Sequence, residues 1–270
     1  MIELVKIKEV DPKDLIIYAQ PKCGKTTIIA DLTVKLKGKG AILNLEKGGT
    51  DYLEGYFLNC YKEQGDGYSE AFKTYKSYLE YLKQNIGQVD YLAIDNLSVL
   101  DEWADIAGTY FYMQTTQGKK FNRDEKGVMI IHTSPEWKSV TTLGEGTGWR
   151  FPREWFMSQI QEIMNLVPYR IWIVHIKDKF IKDTVTQETI IGSEMNLTGK
   201  IKSMLAARVS TISKLIAEGD KRYLSFENDN DSLIAGSRAP HLTGKVLISD
   251  KVGDVIETYW ENVYNNLKVK

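Results

Sequence analysis

Eight consecutive residues carry the most specific chemistry in the chain. Ala19, Gln20, Pro21, Lys22, Cys23, Gly24, Lys25 and Thr26 follow the pattern G-x-x-x-x-G-K-[ST], with alanine at the first position. Such a loop curls so that its backbone N–H groups point inward at phosphate oxygens. Gly24 lets the backbone approach closely, Lys25 sets an ammonium against the β- and γ-phosphates, and Thr26 offers a hydroxyl to Mg2+. Thr27 continues into a helix whose N-terminal amides add partial positive charge. Alanine fits the first position if φ is negative there. The pattern predicts a bound nucleoside triphosphate. The sequence lacks the Asn-Lys-x-Asp signature for guanine, so ATP is the expected nucleotide.

A phosphate loop needs a carboxylate for the magnesium shell, placed at the end of a neighbouring apolar strand. Asp95, closing the run Tyr91, Leu92, Ala93, Ile94, supplies it. The alternative is a strand-end Asp that caps the next helix. Hydrolysis also needs a group that orients or deprotonates water. One large branch of P-loop ATPases has a glutamate directly after the strand-end aspartate, and here that position is Asn96. Glu46, at the end of the run Ala41 to Leu45, takes the role instead, since parallel strands bring their carboxyl ends to one edge. Its alternative is a solvated charge opening the turn at Lys47, Gly48 and Gly49.

Strands and helices must place these groups. Apolar runs predict strands over 14–18, 41–45, 89–94 and 170–175. Helical spacing predicts helices over 26–37, 69–86, 98–113, 153–167 and 250–267. Paired strands are expected at 205–216 and 221–227, with a polar loop at 176–197. The segment 114–151, rich in glycine and cations, reads as a loop-rich insertion with a short strand near 128–132. Alternating strands and helices imply one α/β domain spanning 1–270, with a mostly parallel, doubly wound sheet and an antiparallel edge extension.

The composition, 43% apolar and 26% charged, is that of a globular chain long enough for one substantial core. A net charge of −1 gives no global field for nucleic acid, so any such contact must be a local patch. No apolar stretch reaches the length of a transmembrane helix, and Met1 to Lys6 lack the features of a secretory signal. With Cys23 and Cys60 as the cysteines, the expected compartment is the cytoplasm and no membrane association is expected.

Four stretches carry a family resemblance: Tyr18 to Thr27, Asp90 to Asn96, Val174 to Lys179, and Leu197 to Lys202, with Gly236 to His241 as a fifth. With Glu46 so placed, the chain resembles the RecA-like ATPases, and more narrowly the short, core-only RecA-like ATPases of phages that act in single-strand recombination. The resemblance implies a RecA-like P-loop fold. It also implies a polar residue after the last central strand, here His175, that senses the γ-phosphate; the alternative is a packing histidine. It implies DNA loops at about 138–152 and 176–199. Trp149, Arg150, Arg153, Lys177, Lys179 and Lys200 are their candidate contacts, because aromatics beside cations suit single-stranded DNA. A solvated loop, diluted by Asp178, Asp183, Glu188 and Glu194, is the alternative. Arg238 is a candidate arginine finger into a neighbouring subunit, or else a surface ion pair.

The expected function is therefore an ATP-hydrolysing protein acting on single-stranded DNA in phage recombination or replication. A homo-oligomer with nucleotide at the subunit interface is expected. A helicase or translocase motor, and a slow ATP-gated assembly switch, are the alternatives.

Overall fold

The computed structural model describes residues 11–47, 50–61, 67–182, 189–228, 234–253 and 255–268, and side chains at 178–182 and 189–192 lie outside this description. Strand β1 (Asp14–Ala19) is buried throughout. Side chains alternate across a strand, so Leu15, Ile17 and Ala19 enter one apolar cluster while Ile16 and Tyr18 enter another. A strand covered on both faces reads as a continuous apolar run.

Helix α1 (Lys25–Lys35), β2 (Gly40–Asn44), β3 (Phe57–Asn59), α2 (Gly67–Gln84), β4 (Tyr91–Asp95) and α3 (Leu97–Met113) follow. After a long excursion come α4 (Arg150–Met164), β5 (Tyr169–Lys182), β6 (Thr189–Met195) and α5 (Ile201–Arg208). The chain then forms β7 (Thr211–Glu218), β8 (Lys221–Ser225), β9 (Gly236–Ser237), β10 (Lys245–Val252) and β11 (Val255–Thr258). The sheet order is β11-β10-β8-β7-β1-β5-β4-β2-β3, with β6 on β5 and β9 on β7. From β7 to β3 the path is parallel. From β7 to β11 it is an antiparallel wing. The fold is α/β, mostly parallel with an antiparallel extension, as the alternation of elements predicts.

Helices cover both faces. Tyr75 of α2, Trp103 of α3, Phe156 of α4 and Leu205 of α5 fill one side. Ile28, Ile29 and Leu32 of α1 fill the other, together with Trp260, Val263 and Tyr264. Trp260 Nε1 donates to Ile28 O at 2.8 Å, so the buried indole is satisfied. At the blunt edge, where the parallel strands begin, Arg170 binds Asp14 through both carboxylate oxygens, at 2.9 and 2.6 Å. Its Nη1 donates to Val167 O and Pro168 O, and Trp172 Nε1 donates to Asp14 as well. A buried ion pair persists when both partners are hydrogen-bonded in this way.

Four expectations are corrected. Of the loop read at 176–197, residues 176–182 and 189–195 are strand: β5 runs on to Lys182 and pairs antiparallel with β6, and 183–188 lie outside the described residues. Residues Ile201–Arg208 are helix α5, so the strand read at 205–216 begins at Thr211. The helix read at 250–267 is the end of β10, then β11, then short 3-10 turns at Trp260–Asn262 and Asn265–Leu267. The strand near 128–132 reduces to a single bridge between Arg123 and Met129. The rest of the excursion lacks strands among the described residues, and has 3-10 turns at Val140–Thr142 and Gly144–Trp149. It is pinned to α3: Val140 N donates to Thr109 Oγ1 at 2.9 Å, and the Tyr110 and Trp137 rings meet at 4.9 Å. Among the described residues no helix is long and apolar enough to cross a membrane.

Candidate nucleotide site

Parallel register builds the site. Ala19 pairs with His175 and Asn44 with Asp95, so β1, β4 and β2 end along one edge, which β5 crosses at His175 before running on to Lys182. Leu45 N donates to Asp95 O at 2.6 Å, which carries that alignment to the residue before Glu46. Ligands of open α/β sheets bind at such carboxyl ends.

The loop leaves β1 at Ala19, which is still in strand pairing with His175 and so needs no left-handed backbone. The left-handed positions are Lys22 at φ 63° and Gly24 at φ 88°. Gly24 is required by that angle rather than by crowding, because the nearest atom to an added Cβ is Arg222 Nε at 4.0 Å. Gln20, Pro21 and Lys22 are exposed, while Cys23, Gly24, Thr26 and Thr27 are half-buried. Lys25 is buried and donates to Ala19 O at 3.2 Å and Gln20 O at 2.8 Å. Burial draws its pKa below the usual lysine value, against the opposing charges of Asp95, Cys23 and Glu46.

Thr26 Oγ1 donates to Asp95 Oδ2 at 2.6 Å. Asp95 is 5% exposed, and burial raises its pKa; the Thr26 bond opposes the rise, Glu46 adds to it, and Lys25 and His175 oppose it. A hydroxyl and a carboxylate side by side at a phosphate loop fit Mg2+, a hard cation that takes few protein oxygens and completes its shell with phosphate and water.

Glu46 is held by two partners. Asn96 Nδ2 donates to Glu46 Oε2 at 2.5 Å, and His175 Nε2 lies 3.4 Å from the same oxygen. Asn96 Nδ2 also lies 3.3 Å from His175 Nε2, so the three groups form a triangle. Asn96 Oδ1 accepts from Val99 N at 3.0 Å and caps α3. From sequence alone Asn96 reads as a position without the glutamate, not as a link. The available signal was an asparagine directly before a helix. Gly24, Lys25, Thr26, Glu46, Asp95 and His175 line one cleft of about 490 Å3.

The remaining candidates lie apart from this cleft. Arg238 follows β9, which pairs with the first residues of β7, and its backbone N donates to Ser210 O. That is the blunt edge, so contact with a phosphate loop requires a neighbouring molecule. Arg150 is exposed and paired with Glu154 at 2.6 Å, and Arg153 Nε donates to Trp149 O at 3.0 Å. Arg150, Arg153 and Arg208 share a cleft of about 480 Å3 between α4 and α5. Trp149 is 36% exposed and its ring lies 3.9 Å from where a Cβ of Gly199 would stand. Lys177 pairs with Glu194 at 3.5 Å and Lys200 is exposed at the start of α5. Lys179 pairs in backbone register with Gly192; its side chain lies outside the described residues. Arg222 lies in no motif of the sequence, yet its Nε donates to Cys23 O of the loop at 3.3 Å.

Fold and site together define the class of P-loop nucleotide-binding ATPases. The sequence model of the family described as AAA domain matches residues 11–239, and the chain belongs to that family. None of the curated proteins matches the chain. Among solved structures, "Crystal structure of the RadB recombinase" superposes with a TM-score of 0.40 at 12% identity, covering 93% of this chain and 92% of that one.

Proposed function

We propose that the chain is a RecA-like ATPase that binds MgATP at the 19–27 loop and hydrolyses it while acting on single-stranded DNA, in phage recombination or replication within a host cytoplasm. The observation that carries this reading is the Glu46, Asn96 and His175 triangle beside the Thr26–Asp95 pair. Thr26 and Asp95 would hold magnesium, which when bound neutralises charge on the β- and γ-phosphate oxygens. Lys25 turns its ammonium from loop carbonyls to phosphate. Glu46 orients the attacking water and accepts its proton as the bond to the γ-phosphorus forms and the β–γ bridging bond breaks.

His175 would report the state of that site. Its backbone N donates to Ser98 Oγ at 3.3 Å, and Ser98 Oγ donates to Asn196 O at 2.9 Å. Two residues on, Thr198 donates twice to Asp101 Oδ2, at 2.7 and 2.6 Å. Gly199 then lies against Trp149. A continuous set of contacts therefore runs from the cleft to the proposed DNA surface of Trp149, Arg150, Arg153, Lys177, Lys179 and Lys200. Arg238 would serve a neighbouring subunit's nucleotide, which requires a homo-oligomer. Residues 1–270 form one functional domain in this reading.

The test is ATP turnover with and without single-stranded DNA at two salt concentrations. Glu46→Gln is expected to lower turnover by about 10²–10⁴-fold with binding retained. DNA is expected to stimulate the wild type at low salt. Undiminished turnover in Glu46→Gln removes the assigned base, and indifference to DNA favours an ATP-gated switch.

A further inference from the structure

Two clefts meet at the phosphate loop and share Gly24 and Thr27. One holds Glu46, Asp95 and His175. The other, about 100 Å3, lies between the start of α1 and the tips of the antiparallel wing, lined by Ile28, Asp220, Arg222, Ser249 and Ile256. We propose that this second cleft receives the nucleoside end of the nucleotide, with the Arg222 guanidinium stacked on the base. The proposal rests on the phosphate-loop reading and adds the part of the ligand that reading leaves without a seat.

Direction follows from the first cleft. The reactive terminus of a triphosphate must lie where Thr26, Asp95 and Glu46 converge. The phosphate chain then crosses the loop, and its other end leaves past Thr27 into the second cleft. Ile256 offers that end apolar surface and Asp220 and Lys251 offer polar groups, over a floor that includes the buried Ile28 and Ser249. The lining residues include no aromatic ring. Stacking falls to the guanidinium, which is planar and packs on aromatic faces.

Arg222 is also held in place. Its Nε donates to Cys23 O at 3.3 Å, and its Nη1 donates to Gly219 O at 2.8 Å and Lys221 O at 3.0 Å. These bonds fix the guanidinium to the loop on one side and to the β7–β8 turn on the other. A pre-positioned group loses less freedom on binding.

Magnesium-dependent binding of ATP and of inorganic tripolyphosphate separates the two readings. Arg222→Ala is expected to weaken ATP about tenfold, within the range of a cation–π contact, and to leave tripolyphosphate within about twofold. Ile256→Asp, at an exposed lining residue of the same cleft, is expected to show the same selective loss, and carries the test if Arg222→Ala fails to fold. Equal weakening of both ligands in Arg222→Ala makes Arg222 a prop for the loop and overturns the proposal. So does unchanged ATP binding in both variants. A wild type that binds neither ligand removes the phosphate-loop reading itself.

Discussion

Asn96 donates to Glu46 from fifty positions away in sequence, while its own oxygen caps α3 at Val99. One side chain thus starts a helix and anchors the proposed base. Asn96→Asp keeps an acceptor for the Val99 cap but buries a second carboxylate against Glu46, so turnover falls about tenfold or more and stability falls too, from the buried charge rather than from the cap. Asn96→Ala loses both, with about 1 kcal/mol of stability. Denaturant melts beside turnover decide the matter, and full activity in Asn96→Asp removes Asn96 from the positioning of Glu46.

Asp95 is held at a cost to the fold. Burial raises its pKa. Below the ordinary carboxylate range, native and unfolded chains both carry the proton. As pH rises from that range toward the raised native value, the unfolded chain releases its proton first and native stability falls. Asp95→Asn is therefore expected to raise the neutral-pH melting midpoint of the nucleotide-free protein, to flatten this pH dependence and to abolish magnesium-dependent nucleotide binding. A lower midpoint contradicts the assignment.

Sequence and structure part company where one spacing has two solutions. Val252, Ile256, Trp260, Val263, Tyr264 and Leu267 recur at helical intervals, which is why 250–267 reads as a helix. The same residues suit a β10–β11 hairpin, with Gly253 at φ 65°, followed by 3-10 turns that bury Trp260. Leu15 to Tyr18 and Leu92 to Ile94 have no such ambiguity, because strands buried on both faces leave unbroken apolar runs. That the loop, Asp95 and Glu46 lie at one sheet edge is legible for that reason: each follows or ends such a run. Asn96 and Arg222 were not, since their partners lie 50 and 199 positions away.

The cleft of Arg150, Arg153 and Arg208 gives the proposed DNA surface a measurable signature. Each phosphate contact on a single strand adds about 0.7 to the salt slope of binding. Arg153→Ala and Arg208→Ala are each expected to lower the slope by about that amount, and Trp149→Ala to weaken binding by about 1–3 kcal/mol with the slope unchanged. Fluorescence anisotropy with an oligothymidine across a salt series reads both. Identical slopes in all variants place the DNA elsewhere.

Arg170→Met leaves Asp14 charged and buried without its fork of donors. A loss of about 3–5 kcal/mol is expected in chemical denaturation. Asp14→Asn with Arg170→Met is expected to recover part of it. A loss below 1 kcal/mol in the single variant contradicts a buried, hydrogen-bonded pair.

The order of strands sets a timetable for biosynthesis. β1 sits between β5 and β7, so both of its neighbours are translated long after it, Arg170 trailing Asp14 by 156 positions. At ordinary elongation rates the ribosome needs on the order of ten seconds to deliver them. Throughout that interval the nascent chain carries an apolar segment, Leu15 to Tyr18, with no partner strand on either side. Strand β1 therefore waits for two flanking strands, and the edge that positions the 19–27 loop is complete only after both have been made.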